Sequence, residues 1–194
     1  MSKENIVLMR EARQSLEGKW GLAIGTFVVY TLITSAPGSF TPPASVVSLL
    51  IGGPFALGAA IFSLSLSRGK EVKLEQIFQG FNRFSTALGA YLLMLLYVVL
   101  WMLLLIVPGI IAALSYSMTF YILADDESIK AEDALRKSKA MMDGYKLKLF
   151  YLCLRFFLLA LLCILTLGIG FLWLIPYANI TMAKFYDDIR EVAK

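Results

Sequence analysis

STALGAYLLMLLYVVLWMLLLIVPGIIAALSYSMTFYILA, residues 85–124, is a run of forty residues with no Asp, Glu, Lys or Arg. A helix rises about 1.5 Å per residue, so about 20 apolar residues cross a ~30 Å hydrocarbon layer. The run is long enough to cross twice. Pro108-Gly109 interrupts it, because proline removes a backbone donor and glycine frees the backbone, a pairing that marks turns. The reading is a helical hairpin with one span over 85–107 and a return over 110–124. The return is short, so it is expected to be tilted, partly submerged or extended by the preceding turn.

The rest of the chain repeats this form. Of its 194 residues 59% are hydrophobic and only 16% charged, whereas soluble domains carry about 25% charge. Further uncharged runs cover 20–35 and 46–67, and 149–166 and 171–185 hold a single charge each. The expected fold is an all-α membrane protein of about six transmembrane helices in three helical hairpins, one polytopic membrane domain over 1–194. The run at 20–35 follows about twenty charge-rich residues and precedes further spans, so it reads as a retained helix rather than a signal peptide. Gly21 and Gly25 on it, and Gly52, Ala56 and Ala60 on the next, are spaced for close helix approach, and Pro54 is placed to kink.

Between the spans the charge returns. Leu8, Ala12 and Leu16 stand at helical spacing in the first charged segment. In the second, Leu74, Ile77, Phe78 and Phe81 fall at i, i+3, i+4 and i+7. In the third, acids precede bases as a helix dipole favours. These are expected to be three amphipathic cytoplasmic interfacial helices. Gly18, Gly80 and Gly144 follow them, each suited to a left-handed helix end. Amphipathic helix, glycine, span, turn and span thus give candidate repeat units 1–67, 68–124 and 125–194, with Pro54, Pro108 and Pro176 on the returning spans.

Lys and Arg concentrate in alternate segments, while the connections 36–45, 107–110 and 167–170 carry no charge. The positive-inside bias then puts the N-terminus, the C-terminus and all charged segments in the cytoplasm. Trp20, Tyr145 and Tyr186 lie where aromatic interface anchors are expected. The net charge of +4 is spread over segments that flank spans, so nucleic acid is not expected as a partner. Anionic lipid headgroups at the cytoplasmic face are, at about 1 kcal/mol per nearby basic residue.

Much ordinary enzyme chemistry is missing. The chain has no histidine, which removes imidazole metal sites and Ser-His-Asp triads. Gly18-Lys19 and Gly69-Lys70 lack the upstream glycine of a phosphate loop, and no Gly-x-Ser-x-Gly elbow occurs. Cys153 and Cys163 stand about 15 Å apart along one helix, too far to pair. Asp125-Asp126-Glu127 and Asp187-Asp188 are oxygen-rich, but the first reads as an acidic lead into a helix and the second as a solvated tail. No catalytic residue, cofactor or metal site is expected.

The runs at 104–118, 123–125 and 165–177, with Gly18 to Gly21 and Gly144-Tyr145-Lys146, resemble the bacterial integral membrane proteins catalogued as domain of unknown function 975. The resemblance implies a small bacterial cytoplasmic (inner) membrane protein, and brings no established activity and no catalytic residue. The expected function is a non-enzymatic accessory, scaffold or lipid-interacting component, with the bilayer and a membrane protein as partners. The alternative is a small transporter or channel.

Arg155 bears on both. It is the only basic residue well inside an expected span, about 9 Å past its start, whereas Lys184 stands one residue from the end of the last. A central Arg costs about 2.5 to 3.5 kcal/mol, reduced by snorkelling. Snorkelling alone is one account of it. The other places Arg155 in a polar recess with Asn179, Thr181, Ser115, Ser117, Ser63 and Ser65, which stand at similar depths and would offer an anionic lipid or solute a bidentate guanidinium.

Overall fold

A computed structural model describes residues 2–35 and 42–192, and among them every regular element is helical. The order is α1 (Asn5–Leu16), α2 (Trp20–Ser35), α3 (Pro42–Ser67), a 3₁₀ helix (Leu74–Arg83), α4 (Phe84–Leu104), α5 (Ile106–Tyr116), α6 (Thr119–Asp125), α7 (Ala131–Met141), α8 (Lys146–Leu165) and α9 (Phe171–Val192). Four stretches are long and apolar enough to cross a membrane: Val47–Ser67, Leu74–Leu104, Ile106–Asp125 and Lys146–Leu165. Trp20–Thr34 is apolar but shorter. The connection at 36–45 falls largely outside the described residues.

α3 is the hub. Leu57, Ala60 and Leu64 join one core with Ala87, Ala90, Leu123, Leu149 and Phe185. Ala59, Phe62 and Leu66 join a second with Ala12, Leu16, Phe27 and Ile180. Small residues make both faces possible: Ala60 and Ala56, which spacing names, pack at the first core and Gly52 lies against Tyr91, while the tightest contacts belong to Gly53 and Gly58, which spacing does not name. A Cβ on Gly53 would stand 2.6 Å from the Ala87 carbonyl oxygen, and one on Gly58 would stand 1.8 Å from that of Ile77. Gly21 and Gly25, expected to mediate a close crossing, have nothing within 4 Å of an added Cβ.

The 3₁₀ helix accounts for the Gly58 contact. An α-helix over 74–81 would bury Leu74, Ile77, Phe78 and Phe81 together, but three residues per turn align Leu74, Ile77 and Gly80 instead. Ile77 and Gly80 are buried, while Phe78 and Phe81 are exposed and meet Phe55 edge-on at 5.7 and 5.1 Å. A Cβ on Gly80 would lie 1.9 Å from the Pro54 oxygen. Gly80 is therefore a backbone contact, whereas Gly18 and Gly144, at φ +74° and +79°, take the left-handed conformation expected of helix ends.

The central hairpin turns three residues earlier than Pro108 suggests. Leu105 is extended (φ −162°, ψ 146°), and Pro108 and Gly109 fall within the first turns of α5. Proline is tolerated there because the first N–H groups of a helix lack intrahelical partners. The return is also broken, between Tyr116 and Thr119. Ser138 of α7 bridges the break, donating to the Ser115 carbonyl at 2.8 Å and accepting from the Met118 N–H at 3.2 Å. A buried hydroxyl thus supplies hydrogen bonds that a continuous helix would make for itself. α1 buries Leu8, Ala12 and Leu16, and α7 buries Ala134, Leu135, Ser138 and Met141.

Candidate functional site

Two places gather charge. The first lies where α3, α6 and α9 end together. Arg68, just past α3, bonds Asp125 Oδ1 through Nη1 at 2.7 Å and Asp187 Oδ1 through Nη2 at 2.6 Å. Asp125 Oδ2 also takes Arg190 at 2.5 Å and the Tyr186 hydroxyl at 3.1 Å. Beside it Lys148 reaches Asp188 at 2.7 Å, and the Lys3 backbone N–H donates to Asp188 at 2.9 Å. Lys184 donates to the Ser67 carbonyl. Burial disfavours the Arg68 cation, but hydrogen bonds and charge from Asp187 and Asp125 outweigh that and raise its pKa, so it stays protonated throughout.

This geometry corrects three expectations. Asp125 is the last residue of α6, not the lead into the next helix, whose first-turn acids are Glu132 and Asp133. Asp187 and Asp188 lie within α9, and Asp188 is only 7% exposed. Tyr186 is buried and stacks on Tyr121 at 5.9 Å, so it is a core residue and not an interface anchor. The carboxylates are occupied by bases, and among the described residues no group of three or more His, Cys, Asp or Glu could hold a metal. Lys3, Arg68, Lys184 and Arg190 face Glu11, Asp187, Asp188 and Glu191 around one hollow, a balance suited to clamping helices rather than to holding an ion. Arg83 adds a second tie, donating to the carbonyls of Leu123 at 2.8 Å and Ile129 at 2.9 Å.

The second place is Arg155. It is exposed on α8 and shares an open groove of about 470 Å³ with Ile6, Met9 and Arg10 of α1, Leu158, Leu159 and Leu162 of α8, and Tyr177 of α9. Among the described residues neither Arg10 nor Arg155 has a carboxylate within ion-pair distance. Tyr177 donates to the Met9 carbonyl at 3.2 Å, pinning α1 against α9 at the groove wall.

The six residues grouped with Arg155 by depth do not line this groove. The hydroxyls of Ser115, Ser117 and Thr181 bond carbonyls of their own helices, Ile111, Leu114 and Tyr177, at 2.7 to 2.8 Å. Asn179 does the same to Ile175 at 2.9 Å. Ser63 is fully buried without a hydrogen-bond partner, and Ser65 is half-buried. Arg10 is the partner that sequence reasoning missed. It reads as one more charge on the polar face of α1, and only the packing of that helix beside α8 sets it next to Arg155.

Fold and surface together define an all-helical protein with four helices long and apolar enough to cross a membrane. The model of the family described as "Protein of unknown function (DUF975)" matches residues 1–113 and 102–193, and the chain belongs to that family. No curated protein matches it. No solved structure matches it either.

Proposed function

We propose that this chain is a non-enzymatic, lipid-interacting accessory or scaffold component of the bacterial inner membrane, with six spans in three hairpins and both termini in the cytoplasm. The Arg10–Arg155 groove carries the reading. Two guanidinium groups without a protein counter-ion stand at one end of an apolar track formed by Leu158, Leu159 and Leu162. An anionic headgroup satisfies the first and an acyl chain covers the second, and a planar guanidinium grips phosphate bidentately. The amphipathic helices α1 and α7 and the 3₁₀ helix lie at the cytoplasmic interface in this reading, where the clamp of Arg68, Asp125 and Asp187 joins the second and third repeat units and Lys184 on the Ser67 carbonyl ties the third to the first.

Native mass spectrometry of purified protein tests the groove. Arg155→Leu and Arg10→Leu should fold and lose a retained anionic phospholipid, and Arg155→Lys should retain part of it. Unchanged retention in folded Arg155→Leu would leave snorkelling as the account of this residue. Topology is tested by impermeant labelling, with a cysteine at Leu167 reacting from outside and one at Lys137 only after permeabilisation. Solute flux in liposomes by a protein that copurifies with neither lipid nor partner would favour a small transporter or channel.

A further inference from the structure

A second groove lies where α4, α5 and α7 meet the start of α8; Ser115 stands on its wall, and it shares no residue with the Arg10–Arg155 groove. Two hollows adjoin there, of about 350 and 170 Å³, and Tyr116 and Lys139 line both. Arg136 lines the first and Lys146 the second, so three cations from α7 and the start of α8 surround the junction, against a single acid, Glu132. Among the described residues none of these cations is in an ion pair. Uncompensated charge is unusual beside so much apolar surface. Tyr97 stacks on Tyr116 at 5.7 Å and 26° to form the floor, and Trp101, Pro108 and Ile111 continue the second hollow toward the turn at Leu105. Trp101 and Ile111 are each 46% exposed, so this track is open along its length.

Cations at one end and a bare apolar track at the other match an amphiphile with an anionic head. We infer that this groove binds an anionic phospholipid, its phosphate held at Lys139 between Arg136 and Lys146 and an acyl chain lying over Trp101 and Ile111. Charge complementarity selects the occupant. A zwitterionic lipid brings its own cation into a site with three already, and a soluble anion leaves the aromatic track uncovered. Tyr97 and Tyr116, beside Arg136 and Lys139, suit the place, since amphipathic rings are favoured at headgroup level. The inference rests on the membrane placement proposed above, but not on the Arg10–Arg155 groove.

The test uses full-length protein in detergent with added phosphatidylglycerol, phosphatidylcholine or inorganic phosphate, read by native mass spectrometry and thermal melting. Lys139 is exposed and makes no protein contact through its charge, so Lys139→Gln and the double variant Lys139→Gln with Lys146→Gln should fold. Wild type should bind at least two phosphatidylglycerols. The double variant should lose one of them, with affinity at that site falling about tenfold or more, and Lys139→Arg should restore it. Arg10→Leu with Arg155→Leu should leave this lipid in place, which separates failure of one groove from failure of the other. The inference is overturned if the double variant binds phosphatidylglycerol as wild type does, if phosphatidylcholine binds equally well, or if inorganic phosphate gives the same melting shift. It is equally overturned if the cations prove to be covered by the acidic surface of a second copy, seen as a dimer that the double variant abolishes.

Discussion

α3 and α8 are both apolar enough to cross a membrane, yet they keep different company. The Val47–Ser67 stretch has mean hydropathy 1.9 and is 56% buried inside the protein, while Lys146–Leu165 has mean hydropathy 2.2 and is only 11% buried. Leu74–Leu104, the most hydrophobic at 2.3, is also 11% buried. Ile106–Asp125, at 1.7, is 50% buried, so the two most hydrophobic stretches are the least buried. Lipid tails are as apolar as leucine, so no hydrophobic force drives a greasy helix out of lipid and into protein. Side-chain size decides instead. α3 carries Gly52, Gly53, Gly58, Ala56, Ala59 and Ala60, which admit neighbouring backbones, whereas α8 and the outer half of α4 present Leu, Phe and Tyr side chains that keep neighbours at a distance.

The strongest way to break this contrast is to put a methyl group on α3. Gly58→Ala would press a Cβ to 1.8 Å from the Ile77 oxygen, and neither side is a flexible chain end, so a loss of about 3 kcal/mol or more is expected. A melting curve in detergent within a few degrees of wild type would show that the 3₁₀ helix can lift from α3. Arg68→Met comes next. It leaves Asp125, 11% exposed, with Arg190 and Tyr186 alone and removes the ion-pair partner of Asp187; a part-buried pair broken on one side costs about 2 to 3 kcal/mol. Arg68→Met with Asp187→Asn should recover part of this, and no recovery would mean that the clamp is not a coupled unit.

Ser138→Ala probes the break between α5 and α6. Losing the hydroxyl orphans the Met118 N–H and removes a donor from the Ser115 carbonyl, at a cost of about 1 to 2 kcal/mol. Amide exchange should quicken at Met118 above all, and protection unchanged there would place water in the gap instead. The smallest effect belongs to Gly25→Ala. Nothing lies within 4 Å of the added Cβ, and replacing a helical glycine lowers unfolded-chain entropy, so stability should hold or rise by about 0.5 to 1 kcal/mol. A clear loss would reveal a partner packed on α2.

Each of these outcomes touches the boundary between what a linear reading can and cannot reach. The helices, the hairpin at the long uncharged run, the left-handed Gly18 and Gly144, and the buried stripe of Leu8, Ala12 and Leu16 were legible, because each depends on residues within a turn or two of one another. Arg155 was legible as an oddity for the same reason, one charge in a run without others. Its companions were not. Counting residues along a helix gives depth, since every residue adds about 1.5 Å, but says nothing of azimuth, and residues at equal depth on different helices can face opposite ways. Ser115, Ser117, Thr181 and Asn179 bond carbonyls of their own helical segments, the default for short polar side chains on a helix.

The charged clamp shows the same division from the other side. Composition and charge spacing determined that this chain is all-helical and apolar enough to cross a membrane, with its charge gathered mostly between the long apolar runs, because hydropathy and helical period are properties of short segments. Arg68, Asp125 and Asp187 each stand where an apolar helix stops or nears its end, visible in sequence as charges in three separate segments. That they form one cluster, that Arg10 and Arg155 line one groove, and that Gly58 and Gly80 rather than Gly21 and Gly25 carry the tight crossing were decided only by tertiary structure. Those facts depend on how rigid helices rotate and lean when their small residues seat, and such rotation is fixed by contacts between residues far apart in the chain.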